Sequence, residues 1–273
     1  LMGRADLHIH SLASDGVSGV AEILDAAEQK QLDVIAITDH ERIDAAVAAQ
    51  RMAADAGRAA QVIVGEEIST RGGHLIGIFL TQRIKPWGSL RASVARVHEQ
   101  GGIAIVAHPL VPYPLCARAG AIRSLLDEGD PIFHPDGIEA FNPTTAGMRW
   151  TRRVPEFVAQ TGRAPIGSSD AHRAADVGQA LTTFEGTSPE ELRAAIESRE
   201  TGWEGTFYPW RSQITMFRAQ LRKNARAVRD DLGGKIRRSG TGRDLGYPGG
   251  RQRPAHFDPT LVGRTERISR DEG

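Results

Sequence analysis

The sequence predicts an α/β protein in which parallel strands form a barrel and helices pack outside it. Short apolar runs alternate with helix-like segments over residues 1–204, giving about seven β/α units. Histidines and carboxylates stand at or beside the ends of nearly all these runs. A barrel brings every strand-to-helix loop to one mouth, whereas the alternative, an open doubly wound sheet, gathers ligands from only a few strands. The barrel is therefore favoured.

The strands are assigned to short apolar runs. They are Ala5–Ile9, Asp33–Thr38, Gln61–Gly65, Leu75–Leu80, Ile103–Ala107, Asp136–Phe141 and Ala164–Gly167. The helices are assigned to segments whose apolar residues recur every three or four positions. They are Ser18–Gln31, Arg42–Gly57, Ser89–Gln100, Ala117–Glu128, Arg149–Thr161 and Ser188–Arg199. Ser188 begins the last of them as a capping residue, with Pro189 in the first turn and Glu191 three positions after the cap.

Composition limits the class of protein. A chain of 273 residues with 40% hydrophobic content can bury a barrel-sized core. Cys116 is the single cysteine, so an intrachain disulfide is excluded and an inert thiol is expected. We find neither a secretory signal in the polar Leu1–Ser11 segment nor an apolar run near the roughly 20 residues that span a bilayer. These features predict a cytoplasmic protein.

Charge divides the chain into two predicted domains. Residues 1–204 carry a net charge of −8 and residues 205–273 a net charge of +8. Within the basic extension, residues 213–229 have the pattern of an amphipathic helix with one basic face, and a Gly/Pro/Arg-rich tail follows. Such a helix can dock on its own acidic barrel, lie on an anionic membrane, or bind nucleic acid. We favour docking on the barrel or on a second subunit, and the oligomeric state is unknown.

The histidine and carboxylate clusters predict a multinuclear metal centre. Side chains at i and i+2 of a strand leave the same face, so His8 and His10, like Asp170 and His172, are expected to point to one place. One such pair is weak evidence, but several pairs at one edge of a sheet are hard to explain by packing. The further candidates are Asp15, Asp39, His40, Glu66, Glu67, His74 and His108.

Seven motifs resemble, in order, those of the PHP (polymerase and histidinol phosphatase) family. They are Asp6-Leu-His-Ile-His10, Ser14-Asp-Gly16, Ala36-Ile-Thr-Asp-His40, Gly65-Glu-Glu-Ile-Ser69, His74-Leu-Ile-Gly77, Val106-Ala-His-Pro109 and Gly167-Ser-Ser-Asp-Ala-His172. The resemblance covers about residues 5–186. It implies a distorted (β/α)7 TIM-like barrel with a trinuclear divalent-metal site.

The resemblance also implies a ligand set. The first ion would take His8, His10, Glu67 and Asp170; the second would share Glu67 and add His74 and His108; the third would take Asp15, His40 and His172. The family pattern selects Glu67 as the ligand over Glu66. For Asp39, orienting a ligand and forming a turn are both open. Oxygen and nitrogen ligands without thiolate suit manganese, iron or zinc and do not choose among them.

The chemistry expected at this centre is hydrolysis of a phosphate ester. Six neutral imidazoles and three carboxylates leave three divalent ions with a formal charge of +3, which attracts an anion. A metal-bound hydroxide would attack phosphorus, with Glu67 and Asp170 as bridging or orienting carboxylates. The resemblance points to nucleotides, nucleoside 3′,5′-bisphosphates or short oligonucleotides. Histidinol phosphate, or a non-catalytic metal-stabilised binding module, is the alternative.

Four residues in the mouth-side loops are candidates for contacting a phosphorylated substrate. Arg118, Arg149 and Arg173 carry guanidinium groups that can grip two phosphate oxygens, although a solvated surface role is open for each. Asn142 follows a strand at the mouth, where a substrate hydrogen bond and a turn role are both open. His98, on a predicted helix, is expected to be exposed to solvent.

Overall fold

The computed structural model describes residues 1–144 and 152–209 together with positions 148 and 215. Its strands are β1 Met2–Ile9, β2 Val34–Ile37, β3 Gln61–Thr70, β4 Gly73–Ile78, β5 Ile103–Val106, β6 Gly137–Phe141, β7 Ala164–Gly167, β8 Ala180–Glu185 and β9 Gly202–Gly205. Its helices are α1 Val20–Gln29, α2 Asp44–Asp55, α3 Leu90–His98, α4 Ala119–Leu126, α5 Val154–Thr161 and α6 Pro189–Ser198.

The described strands form one curved sheet. Its order is β7-β6-β5-β4-β3-β2-β1-β8-β9, and β9 packs against β7, so the two ends of the sheet nearly meet. The pairs β1–β2, β2–β3, β5–β6 and β6–β7 are parallel. The predicted α/β barrel with helices outside is therefore confirmed.

Two strands run against the rest, and the expectation of uniformly parallel strands is wrong for them. β4 pairs antiparallel with both β3 and β5, because only the tight turn at Arg71–Gly72 separates it from β3 and no helix intervenes. β8 pairs antiparallel with β1. The sequence pattern also missed β8 and β9 altogether, since Thr182 and Thr183 interrupt the first and the second is a short Gly-Trp-Glu-Gly segment.

Apolar packing fills the barrel below the mouth. Leu7, Ile63, Ile105 and Ile166 belong to one buried cluster inside the sheet, and Leu192 of α6 joins it where that helix closes the end at which β3 starts. Two further clusters lie between the sheet and its outer helices, one under α1 and α2 and the other under α3, α4 and α5. Among the described residues, the barrel interior is therefore apolar below the mouth, and buried polar side chains gather at the mouth, opposite α6.

His98 departs from its expected exposure. Its ring is half-buried between α3 and the start of β6, with Nδ1 2.7 Å from the carbonyl oxygen of Ile132 and Nε2 2.8 Å from Oδ2 of Asp136. Burial lowers the pKa of this imidazole, but the Asp136 carboxylate and the carbonyl outweigh it and raise the pKa. His98 is thus part of the packing between a helix and a strand, remote from the mouth.

The chain stays packed on the barrel past the predicted boundary at residue 204. Trp203 stacks on Phe141 with 5.0 Å between ring centroids, and the backbone N–H of Tyr208 donates to Pro143. Apart from position 215, the predicted basic helix over residues 213–229 and the tail after it lie outside the described residues, so their role stays a prediction. No helix among those described combines the length and the apolar character that crossing a bilayer requires.

Tyr208 anchors this last segment, and its loss should destabilise the barrel measurably. Its hydroxyl donates to the carbonyl oxygen of Ser169 at 2.7 Å, and the side chain is buried. Replacing it by phenylalanine leaves that carbonyl without the hydrogen bond, so Tyr208→Phe should lower the free energy of unfolding by about 1 kcal/mol. Urea unfolding of both proteins with the metal removed measures the difference, and equal stabilities would contradict it.

Candidate metal centre

A bulge in β1 brings two histidines to the same side. The pairing of β1 with β2 shifts register between Asp6 and Ile9, and Leu7 already points into the barrel core. Bulges re-aim the side chains that follow them. His8 and His10 consequently both face the mouth with their Nε2 atoms 3.1 Å apart, while Ile9 between them packs outward.

Glu67 occupies the middle of the site. It lies on β3 and is 1% exposed, and the backbone of β3 is held there by the bridge from His40 to Glu67. Five histidines surround its carboxylate: His8, His10 and His40 approach Oε2 at 3.2, 3.2 and 3.3 Å, and His74 and His108 approach Oε1 at 2.7 and 3.1 Å. A single carboxylate therefore faces two groups of imidazoles, one on each oxygen.

Glu66 points away from this site. Its Oε2 accepts a hydrogen bond from the backbone N–H of Ile84 at 2.7 Å, on the outer side of β3. Burial, with the charge of nearby Glu41, raises the pKa of Glu66 to about 7. The two adjacent glutamates thus lie in separate environments, as the alternation of side chains along a strand requires.

His74 reaches the mouth from the opposite direction. The ligand candidates were expected at the carboxyl ends of the strands, which is wrong here, because β4 is antiparallel and its first residues lie at the mouth. Gly73 makes this approach possible. Its φ is +132°, and a Cβ there would stand 2.5 Å from the backbone nitrogen of Ala117.

The turn after β7 contributes the next carboxylate and imidazole. Asp170 has a φ of +53°, and its Oδ1 lies 3.5 Å from Nε2 of His8 and 3.4 Å from Nε2 of His10. Nε2 of His172 lies 3.0 Å from Oδ2 of Asp15, whose Oδ1 is 3.8 Å from Nε2 of His40. These contacts place the last three of the nine predicted ligands, Asp15, Asp170 and His172, at the same mouth.

Asp39 holds the loop that carries Asp15. Its buried carboxylate accepts the backbone N–H of Ser11 at 2.8 Å, the hydroxyl of Ser11 at 2.6 Å and the hydroxyl of Ser14 at 2.5 Å. Asp39 therefore combines the turn role and the orienting role considered for it. Its hydrogen bonds hold the loop, and the loop in turn positions Asp15.

The spacing of these atoms suits divalent ions. Ligand atoms bound about 2.1 Å from a shared ion in tetrahedral geometry lie roughly 3.4 Å from one another. Three groups have all their ligand atoms within 4.8 Å of one another: His8 with His10 and Glu67, His10 with Asp15 and His172, and His40 with Glu67 and His74. The donor set, imidazole and carboxylate without thiolate, fits manganese, iron or zinc.

Buried carboxylates make the metal-free histidines basic. Burial opposes charge on His8 and His10, but Asp170 and Glu67 outweigh it, raising the pKa of His8 well above its usual value and that of His10 to about 10. Burial likewise disfavours the Glu67 anion, yet His8 and its neighbours hold the pKa of Glu67 well below its usual value. For His40, burial prevails and lowers the pKa. These pKa shifts favour protonated imidazoles at His8 and His10 when no metal is bound.

Metal binding should consequently release protons and weaken as the pH falls. The imidazoles whose pKa is raised must lose their protons before they can bind an ion, so affinity should drop roughly tenfold per pH unit for each proton displaced. Competition with a chromophoric chelator between about pH 8 and about pH 6, with calorimetry in two buffers to count protons, measures this. An affinity independent of pH would contradict it.

The four predicted substrate contacts differ in their surroundings. Arg118 is exposed at the N-terminus of α4, beside the mouth. Nε and Nη2 of Arg173 donate to Asp176 at 2.7 and 2.6 Å, so gripping a phosphate would require this ion pair to open. Nδ2 of Asn142 donates hydrogen bonds to the carboxylates of Glu139 and of Asp170, which is one of the predicted ligands. Arg149 lies outside the described residues.

Sequence reasoning missed two neighbours of the ligands. Cys116 was expected to be an inert thiol, but its Sγ lies 3.3 Å from Nδ1 of His108. Glu139, in the middle of β6, is buried and its Oε1 is 2.8 Å from Nδ1 of His8. A glutamate within a short apolar strand is the signal that was available, because such a residue is rarely buried without partners.

Fold and site together define a barrel protein with a candidate divalent-metal centre at its mouth. Residues 6–118 match the PHP domain family and residues 149–201 match the PHP-associated family. The chain therefore belongs to the PHP family. Protein MJ1587 of Methanocaldococcus jannaschii, which is uncharacterised, is 35% identical over 152 residues, covering 51% of this chain and 81% of that protein.

The chain is also similar to a further relative and to solved structures. A 5′-3′ exoribonuclease of Haemophilus influenzae is 38% identical over 79 residues, 28% of each chain. A two-domain protein of Bacteroides vulgatus containing a predicted PHP-like metal-dependent phosphoesterase superposes with a TM-score of 0.62 and 19% identity, covering 82% of this chain and 70% of that one. An amidohydrolase of Chromobacterium violaceum gives 0.54 and 19%, covering 71% and 96%. At these identities the two structures establish the shared fold.

Proposed function

We propose that this protein hydrolyses phosphate esters at a centre of three divalent metal ions. The observation that carries the proposal is that nine side chains from β1, β3, β4 and the mouth-side loops lie together at the mouth, where five imidazoles contact the Glu67 carboxylate. The ligands are His8, His10, Asp15, His40, Glu67, His74, His108, Asp170 and His172. The groups of neighbouring ligand atoms match the sets implied by the resemblance in part. His8, His10 and Glu67 stay together, whereas His40 groups with Glu67 and His74, and His10 also groups with Asp15 and His172. We propose three ions on these nine ligands, with Glu67 shared between two of them.

The protein's own groups prepare the site for an anion. When bound, divalent ions lower the pKa of a coordinated water and neutralise phosphate oxygens. Glu67 holds two groups of imidazoles on its two oxygens, and Asp170 faces His8 and His10, so these carboxylates fix the distances within the centre. Three divalent ions held by six neutral imidazoles and three carboxylates would give the centre a formal charge of +3. A phosphate ester is therefore attracted to the mouth.

The substrate class we propose is a nucleotide, a nucleoside 3′,5′-bisphosphate or the end of a short oligonucleotide. The likeness to a 5′-3′ exoribonuclease over 79 residues supports this choice. Arg118 is the arginine we propose as a phosphate contact, because it is exposed beside the mouth. For Asn142 we propose a role in holding Asp170, since its amide already donates to that carboxylate at 3.2 Å.

The decisive assay uses the full chain, stripped of metal and reconstituted separately with manganese, iron(II) or zinc. Phosphate release is measured on nucleoside 3′,5′-bisphosphates, 5′-phosphorylated oligonucleotides and histidinol phosphate. Turnover of a nucleotide substrate supports the proposal, and turnover of histidinol phosphate alone replaces its substrate class. No turnover by a protein shown to be loaded with each metal would reject the enzyme and favour a metal-stabilised binding module.

A further inference from the structure

We propose that Glu139 is a positioning residue that selects the metal-binding tautomer of His8 and fixes the relative positions of ligands carried by three strands. The inference rests on the proposed metal centre and concerns a residue that is not among the nine ligands. Glu139 lies in the middle of β6, with its side chain fully buried and pointing toward the mouth.

Four groups direct their hydrogen bonds at this one carboxylate. Nδ1 of His8 lies 2.8 Å from Oε1, which also accepts the hydroxyl of Ser168. Oε2 accepts the backbone N–H of His108 at 2.5 Å and Nδ2 of Asn142 at 3.3 Å. An ionised carboxylate has only acceptors, so every partner must bring a hydrogen. The four contacts therefore form a consistent set only if His8 carries a proton on Nδ1.

The consequence for His8 is a fixed orientation of its ring. With Nδ1 donating to Glu139, Nε2 faces the carboxylates of Glu67 and Asp170 at 3.2 and 3.5 Å. In the neutral imidazole that binds an ion, the lone pair then lies on Nε2, on the side of the centre. Carboxylate partners of this kind orient metal-binding histidines and raise their basicity.

The same carboxylate links ligands that are carried by three different strands of the sheet. His8 belongs to β1, His108 follows β5, and Ser168 follows β7, two residues before Asp170. His108 has a φ of +27°, an unfavourable backbone conformation for a residue with a side chain, and the hydrogen bond from its N–H to Glu139 holds it there. Through Asn142, Glu139 also reaches Asp170. One residue thus sets the relative positions of ligands to both oxygens of Glu67.

Glu139→Gln tests the inference with little change of shape. The amide offers one oxygen and one NH2 group, so it cannot accept from all four partners. With its oxygen toward His108, its NH2 group meets Nδ1 of His8 and moves the imidazole proton to Nε2, the atom that would bind the ion. Zinc affinity of the full chain, measured by chelator competition, should fall roughly 10- to 100-fold. Metal content per chain should fall in parallel.

Glu66→Gln is the matched control. Glu66 is also a fully buried glutamate and lies next to Glu67, but its hydrogen bond from Ile84 leads away from the centre. Measured at about pH 8.5, where Glu66 with its pKa of about 7 is ionised, this variant should keep the wild-type zinc affinity. Equal affinity in Glu139→Gln and wild type would overturn the inference, as would an equal loss in both variants, which would report a general effect of neutralising buried carboxylates.

A second measurement does not depend on the variant folding. Long-range ¹H–¹⁵N spectra of the zinc-loaded wild-type protein should show the His8 proton on Nδ1 and zinc on Nε2. Zinc on Nδ1 would overturn the inference. Failure of this inference is distinguishable from failure of the proposed function. A wild-type chain that retains no zinc would contradict both the proposed function and the role of Glu139. A zinc-loaded wild type that hydrolyses phosphate esters, together with a Glu139→Gln variant of equal zinc affinity, would contradict only the role of Glu139.

Discussion

Glu67→Gln is expected to prevent full metal loading and to abolish phosphoesterase activity. The carboxylate faces five imidazoles, three on one oxygen and two on the other, so its neutralisation affects two groups of ligands at once. Removing one partner from a buried charged cluster costs about 3–5 kcal/mol, which corresponds to roughly 10²- to 10⁴-fold in affinity. Metal content per chain and kcat/KM on the best substrate are the measurements.

The adjacent Glu66→Gln variant supplies the control for this result. It makes the same chemical change one residue away, on the side of β3 that faces Ile84. Wild-type metal content and kcat/KM are expected for it. A Glu67→Gln protein that still held three ions per chain, or retained wild-type turnover, would contradict the central place given to Glu67.

Removing the metal is expected to lower the thermal stability of the wild-type chain strongly. Ions that bind only the folded state add about 2.7 kcal/mol at a free concentration of 100 Kd and about 4.1 kcal/mol at 1,000 Kd. For a domain of this size each kcal/mol shifts Tm by roughly 2–4 °C, so chelation should lower Tm by roughly 5–15 °C. In the metal-free protein, protonated His8 and His10 are the partners left for the buried carboxylates.

Differential scanning calorimetry over a series of zinc concentrations measures this shift. Tm should rise with the logarithm of free zinc in the wild type, and much less in Glu67→Gln. Addition of magnesium, which prefers oxygen ligands, provides a second comparison because the site offers six imidazoles. A wild-type Tm that does not respond to chelation or to zinc would contradict metal binding at this site.

The order of the strands and helices was predictable because the spacing of apolar residues and the length of each segment distinguish strands from helices. The predicted Ala164–Gly167 strand is the observed β7, and Ser188 caps α6 as its motif indicated. Strand direction was less accessible. The apolar run of β4 does not indicate that this strand is antiparallel, and β9 has almost no apolar pattern. The direction of β4 and the formation of β9 depend on the strands with which they pair in the folded sheet.

The candidate ligands were accessible because their motifs are short and local. The residues that hydrogen-bond to the ligands could not be predicted, since only the folded chain brings those residues close to the ligands. Glu139 is 131 positions from His8 along the chain, yet its carboxylate lies 2.8 Å from that ring. Arg173 shows the converse: its place beside His172 suggested a phosphate contact, whereas the folded chain pairs it with Asp176.

The proposal that nine side chains hold three ions is tested most directly by crystallography of the manganese-loaded protein with data collected at the manganese absorption edge. Three anomalous peaks are expected around Glu67: one beside His8 and His10, one beside His74 and His108, and one beside Asp15 and His172. Their absence from the mouth in crystals that contain manganese, or a single ion bound elsewhere on the chain, would contradict the trinuclear centre.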